Sequence, residues 1–135
     1  MPTIETIYLG ELRTQAKHVG SGNELITDAP LDNQGKGEAF SPTDLLATSL
    51  GSCMLTLMGI AAREQQVNIK GTTCAITKIM GTEPRRVVEV QITFNFPKNE
   101  FNDKVKTVLE RAAHTCPVAK SLHPDLKQTV VFNWA

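Results

Sequence analysis

The spacing of apolar and polar positions changes several times along the chain. Residues 4 to 9, Ile-Glu-Thr-Ile-Tyr-Leu, are rich in β-branched and aromatic types and read as a strand. Gly10 breaks it, and Leu12 to Val19 forms a second strand carrying Arg13 and His18. Gly20-Ser-Gly-Asn23 is a hairpin-type turn, because glycine reaches positive φ without strain, and Glu24 to Thr27 returns as a short third strand. Asp28 to Phe40 reads as a polar loop. Its Gly-Lys-Gly lacks the spacing and the preceding buried strand of a phosphate-binding loop.

Ser41 to Arg63 has the longest helical pattern. Ser41 is a good N-cap, Pro42 suits the first helical position, and Asp44 places a carboxylate against free N–H groups at the positive dipole end. A helix from Ser41 to Glu64 would be about 36 Å long at 1.5 Å per residue. A compact chain of this length has a radius of gyration of only about 14 Å. The helix therefore crosses the protomer and needs other elements, or another subunit, to cover it. At 100° steps, Leu46, Leu50, Met54, Leu57, Ile60 and Ala61 share one apolar arc with Cys53, while Thr48, Ser49, Ser52, Thr56 and Gly59 form a small-residue arc. No charge lies between Asp44 and Arg63, so this is a central helix rather than a surface one.

Val67 to Met80 reads as a strand with partial alternation, and Gly81-Thr-Glu-Pro84 as a turn. From Arg86 to Phe96 the alternation is clean, with Val88, Val90, Ile92, Phe94 and Phe96 on one face. Asn102 can cap a helix carrying Val105, Val108, Leu109 and Ala112 at helical spacing, and Pro117 opens another short one. Leu126 to Trp134 is a last strand. Three strands, a long helix, two strands, one or two helices and a strand make an α+β class built from antiparallel hairpins, with residues 1–135 as one domain.

Composition narrows the function classes. Lys+Arg and Asp+Glu both number 14, and no basic stripe or exposed interleaved aromatics favour nucleic acid. Met-Pro-Thr-Ile-Glu-Thr is not a basic region leading into an apolar run, and the apolar helix is interrupted by Ser, Thr and Gly. The expectation is a cytoplasmic protein that does not act at a membrane. In that setting Cys53, Cys74 and Cys116, an odd number without a C-x-x-C pair, are reduced thiols.

Three residues carry candidate chemistry. Cys116, immediately before Pro117, sits where a helix dipole would favour a thiolate, although any small residue could fill the turn. Cys53 in mid-helix reads as a small hydrophobe or a nucleophile, and Cys74 as strand packing. His114 could act as a general base, ligate a metal with Cys116, His123 and Cys53, or pack at the helix junction. Paired spacings such as C-x-x-C or H-x-x-x-H are absent, so no metal is expected.

The pairing of Ser41-Pro-Thr-Asp-Leu-Leu-Ala-Thr-Ser-Leu-Gly-Ser-Cys53 with His114-Thr-Cys-Pro-Val-Ala-Lys-Ser-Leu122 resembles the OsmC/Ohr family of thiol peroxidases. The order of strands and helices is also similar. The resemblance implies an OsmC-like fold, an intertwined homodimer, and a two-cysteine peroxidase that reduces organic hydroperoxides in oxidative stress defence. By that resemblance Cys53 is the peroxidatic thiol and Cys116 the resolving one. Arg13 would stabilise the thiolate, and Leu50, Met54 and Leu57 would wall the organic group. An external dithiol of lipoyl or thioredoxin type closes the cycle, and no cofactor is implied. Where the strongly active enzymes carry a glutamate that orients the arginine, this chain has Thr43, with Glu38 and Asp44 as nearby carboxylates that could partner Arg13. The alternative is a non-enzymatic OsmC-like dimer that binds a hydrophobic small molecule or senses redox state.

Overall fold

In the computed structural model, which describes residues 1–135, the chain forms two compact units, Met1–Leu46 and Ala47–Ala135. The first contains β1 (Ile4–Gly10), β2 (Arg13–His18) and β3 (Glu24–Asp28), followed by a 3-10 turn at Leu31–Asn33 and the start of α1 (Pro42–Glu64). The strands form an antiparallel sheet in the order β1-β2-β3. Gly10, Glu11 and Leu12 all take positive φ in the tight β1–β2 connection. Both sides of β1 remain open: Ile4, Ile7 and Tyr8 are each more than half exposed.

The expected loop from Asp28 to Phe40 is corrected at its first residue. Asp28 belongs to β3, where it stands opposite Arg13, and its N–H donates to the Phe40 carbonyl at 3.0 Å. The α1 start matches the local signals. Ser41 N–H donates to Asp44 Oδ2 at 2.9 Å, and Asp44 N–H returns to Ser41 Oγ at 3.0 Å. This reciprocal pairing satisfies two orphan donors at the helix start, as in a capping box.

The second unit contains most of α1, then β4 (Thr73–Gly81), β5 (Arg86–Asn95), α2 (Asp103–His114), α3 (Pro117–Ser121) and β6 (Lys127–Asn133). The predicted strand start at Val67 is corrected to Thr73. A turn intervenes, with Thr72 N–H donating to the Ile69 carbonyl and Gly71 at φ +94°. β4 and β5 are antiparallel, but β6 pairs parallel to β5. A hairpin cannot make that pairing; the helices α2 and α3 provide the crossover.

The core lies in this unit. Val90, Ile92 and Phe94 from the alternating face of β5 meet Leu50, Met54 and Met58 of α1 and Leu109 of α2. The buried face of α1 is rotated from the predicted apolar arc: it comprises Ala47, Leu50, Gly51, Met54, Met58, Ala61 and Ala62, while Ile60 is 49% exposed. Gly51 lies on this buried face. A Cβ there would stand 2.5 Å from Ile76 Cδ1 and 3.0 Å from Cys74 Sγ, so the absence of a side chain lets α1 seat directly on β4. α1 is also long and apolar enough to cross a membrane, by length and composition alone. Here its buried face forms one wall of the core.

Candidate functional site

Each unit holds one cluster of chemically competent side chains. In the second unit Cys53 lies half-buried on α1, and Cys116 is fully buried as the N-cap of α3. Both are free thiols, close enough for Cys53 to influence the ionisation of Cys116. The Cys116 sulfur also accepts the Ala119 N–H at 3.3 Å. Pro117 opens α3 as its spacing predicted, which turns the preceding residue inward as the cap.

The expected lowering of the Cys116 pKa is corrected. Burial pushes the thiol up, outweighing the Ala119 N–H, and the neighbouring Cys53 raises it further. A five-residue helix offers little dipole, whereas loss of hydration acts on the whole anion. Cys116 is thus a thiol that keeps its proton. Cys74 is likewise raised by burial, beside Gly51.

Leu50 and Met54 are fully buried in the core, which corrects their assignment to an accessible substrate wall. They anchor the thiol-bearing helix in the core. Leu57 is half-buried and remains available as a contact surface. His114 is exposed and packs edge-on to Phe132, with ring centroids 6.0 Å apart. No group of three or more His, Cys, Asp or Glu side chains is arranged to hold a metal ion.

The first unit holds an arginine clamped by two carboxylates. Arg13 Nε donates to Asp28 Oδ1 at 2.7 Å and Nη2 to Asp28 Oδ2 at 2.9 Å. Nη2 also donates to Glu38 Oε1 at 2.8 Å. The Arg13 bonds hold the Asp28 carboxyl below the usual carboxylate range against the opposing effect of burial, and Asp28 raises the Arg13 guanidinium in return. Glu38 therefore does contact Arg13, while the Asp44 carboxylate receives the Ser41 N–H. Asp28 is the residue that the sequence reading missed. The β2–β3 register that pairs Lys17 with Glu24 sets Arg13 opposite Asp28, one residue past the predicted strand end.

A sequence model of the family described as OsmC-like protein matches residues 35–130. The chain belongs to the OsmC-like family. A candidate osmotic-stress-induced and detoxification-response protein from Psychrobacter arcticus 273-4 is 57% identical, with a TM-score of 0.94, over 98% of this chain and 96% of that one. Two more distant structures share the α+β OsmC-like fold. One is an organic hydroperoxide resistance protein OsmC from Legionella pneumophila, at 13% identity and a TM-score of 0.76 over 98% of each chain. The other is a candidate organic hydroperoxide resistance protein from Vibrio cholerae with captopril bound in one of its active sites, at 17% identity and a TM-score of 0.75 over 100% of this chain and 94% of that one. No curated protein sequence matches the chain.

Proposed function

We propose that this OsmC-like protein is a thiol-dependent peroxidase that reduces organic hydroperoxides. The observation that carries the reading is the proximity of two free thiols of unlike environment, half-buried Cys53 and buried Cys116, near enough that the first affects the ionisation of the second. The Cys53 thiolate attacks the O–O bond of ROOH, the alkoxide leaves with a proton as ROH, and Cys53 becomes a sulfenic acid. The Cys116 thiol, deprotonating as it attacks, displaces water from that sulfur and closes a Cys53–Cys116 disulfide. An external dithiol then reduces the disulfide and is itself oxidised to a cyclic disulfide.

Unlike environments suit these unlike roles. A sulfur that is partly accessible can meet a peroxide, whereas a buried sulfur that keeps its proton awaits the sulfenic acid beside it. From the family resemblance, Arg13 is proposed to stabilise the reactive thiolate, and Leu57 to offer an apolar contact for the organic group. Apolar contact favours alkyl and aryl hydroperoxides over hydrogen peroxide, at about 25 cal/mol per Å² of apolar area buried. The hydroperoxide resistance proteins of similar fold support this choice of substrate.

The test is consumption of cumene hydroperoxide and tert-butyl hydroperoxide, driven by dihydrolipoamide or dithiothreitol. Wild type is expected to turn over, Cys53→Ser to lose activity, and Cys116→Ser to accumulate sulfenic acid on Cys53. Absence of wild-type turnover would sink the peroxidase and leave the binding of a hydrophobic small molecule. Peroxide-dependent sulfenic acid on Cys116 in Cys53→Ser, with none on Cys53 in Cys116→Ser, would reverse the two roles. The functional form is proposed to be a homodimer in a reducing, cytoplasmic compartment. The open apolar side chains of β1 and β3 support the second copy.

A further inference from the structure

We infer that Asp28 is the positioning residue for Arg13, fixing the plane of its guanidinium and leaving the Nη1 edge outside the fork. The inference rests on the peroxidase reading for what Arg13 does, but its geometric part stands on Asp28 itself.

A guanidinium carries five N–H donors in a rigid planar fork. Nε–H and one Nη2–H are taken by the two oxygens of Asp28, and the other Nη2–H serves Glu38. The two Nη1 hydrogens take part in none of these bonds. Paired bonds from one carboxylate fix a plane as well as a position, which a single contact does not.

Asp28 is built to hold still. It is 1% exposed, whereas the Glu38 side chain is 65% exposed. Its backbone N–H is tied to the Phe40 carbonyl, and Arg13 is its direct cross-strand partner. Its Oδ2 accepts a further hydrogen bond from the Glu38 N–H at 3.1 Å. Asp28 therefore also sets the backbone from which Glu38 reaches the arginine. Removing Glu38 leaves the Asp28 fork intact, while removing the Asp28 charge loosens both supports at once.

The test compares Asp28→Asn and Glu38→Gln in the full chain. In ¹⁵N-labelled protein the Arg13 Nε–H resonance, assigned by its loss in Arg13→Lys, is expected to be resolved and slow to exchange. Asp28→Asn should move it among the exposed arginines, and Glu38→Gln should leave it in place. In hydroperoxide turnover, Asp28→Asn should lower kcat/KM by about tenfold to a hundredfold, the scale of a misplaced catalytic group, and by more than Glu38→Gln does. Asp28→Glu, which keeps the charge, should recover part of the loss, and it replaces Asp28→Asn should that variant not fold. A folded Asp28→Asn protein that keeps the Arg13 signature, or loses it with turnover unchanged, would overturn the inference. If wild type turns over no hydroperoxide, the peroxidase reading and Arg13's role in it fail together, while the Nε–H measurement still decides whether Asp28 positions Arg13.

Discussion

Cys116 is governed at the residue scale by the loss of its hydration. Its folded pKa is raised by burial, so the neutral thiol is favoured in the native state. A raised pKa contributes stability that is fully present below the unfolded thiol value of about 8.5 and is lost as pH rises through the folded value. Wild type should therefore lose stability above about pH 8.5 more steeply than Cys116→Ser, whose hydroxyl does not titrate in that range. Denaturant midpoints at pH 7 and pH 10 measure this, and parallel losses in both proteins would contradict it. Asp28 has the opposite sign. Its depressed pKa contributes stability above the unfolded carboxyl value, lost as pH falls through the folded one, so the Arg13 clamp opens on the acid side. The two cysteines were legible as candidates from their flanking residues. Asp28 was not, because its partnership needs a strand register carried one residue past the predicted strand end.

At the scale of elements, α1 is placed by what it lacks. An alanine Cβ at position 51 would meet Ile76 Cδ1, Cys74 Sγ and Ile76 Cγ1 at 2.5, 3.0 and 3.2 Å. Overpacking of about 1–3 kcal/mol opposes a gain of about 1 kcal/mol from replacing glycine in a helix. Gly51→Ala should thus be less stable by about 1 kcal/mol, and Gly51→Val by more, since its branches also cost helix propensity. Urea midpoints at constant m-value are the measurement. A stabilised Gly51→Ala would mean that α1 does not sit on β4 through this glycine. Periodicity found α1, α2 and β5 because each has a long regular pattern. It misplaced the buried arc of α1 because nearly every side of that helix is apolar or small, so hydrophobicity alone does not orient it.

For the whole molecule, the two units differ in how they satisfy their apolar side chains. Ala47–Ala135 encloses the core, whereas the sheet of Met1–Leu46 leaves Ile4, Ile7, Tyr8, Leu25 and Ile26 at 40% exposure or more. Ile60 on α1 adds another exposed apolar side chain. The proposed dimer is expected to cover such surfaces. Wild type should sediment as a dimer at micromolar concentration, and Ile7→Lys should shift it toward monomer, because an ammonium in an apolar interface carries a large desolvation cost. A monomeric wild type would contradict the dimer.

The sequence by itself determined the order of elements, the α+β class, the cap of α1, the inward face of β5 and the two thiols worth attention. These follow from local chemistry: a period, a capping pair, a proline at a helix start. Tertiary structure alone decided the rotation of α1 onto β4, the parallel pairing of β6, the Arg13–Asp28 fork and the raised pKa of Cys116. Each of those depends on which atoms come near across the fold, through strand register, a missing Cβ or the exclusion of water, and none is a property of a short stretch of chain.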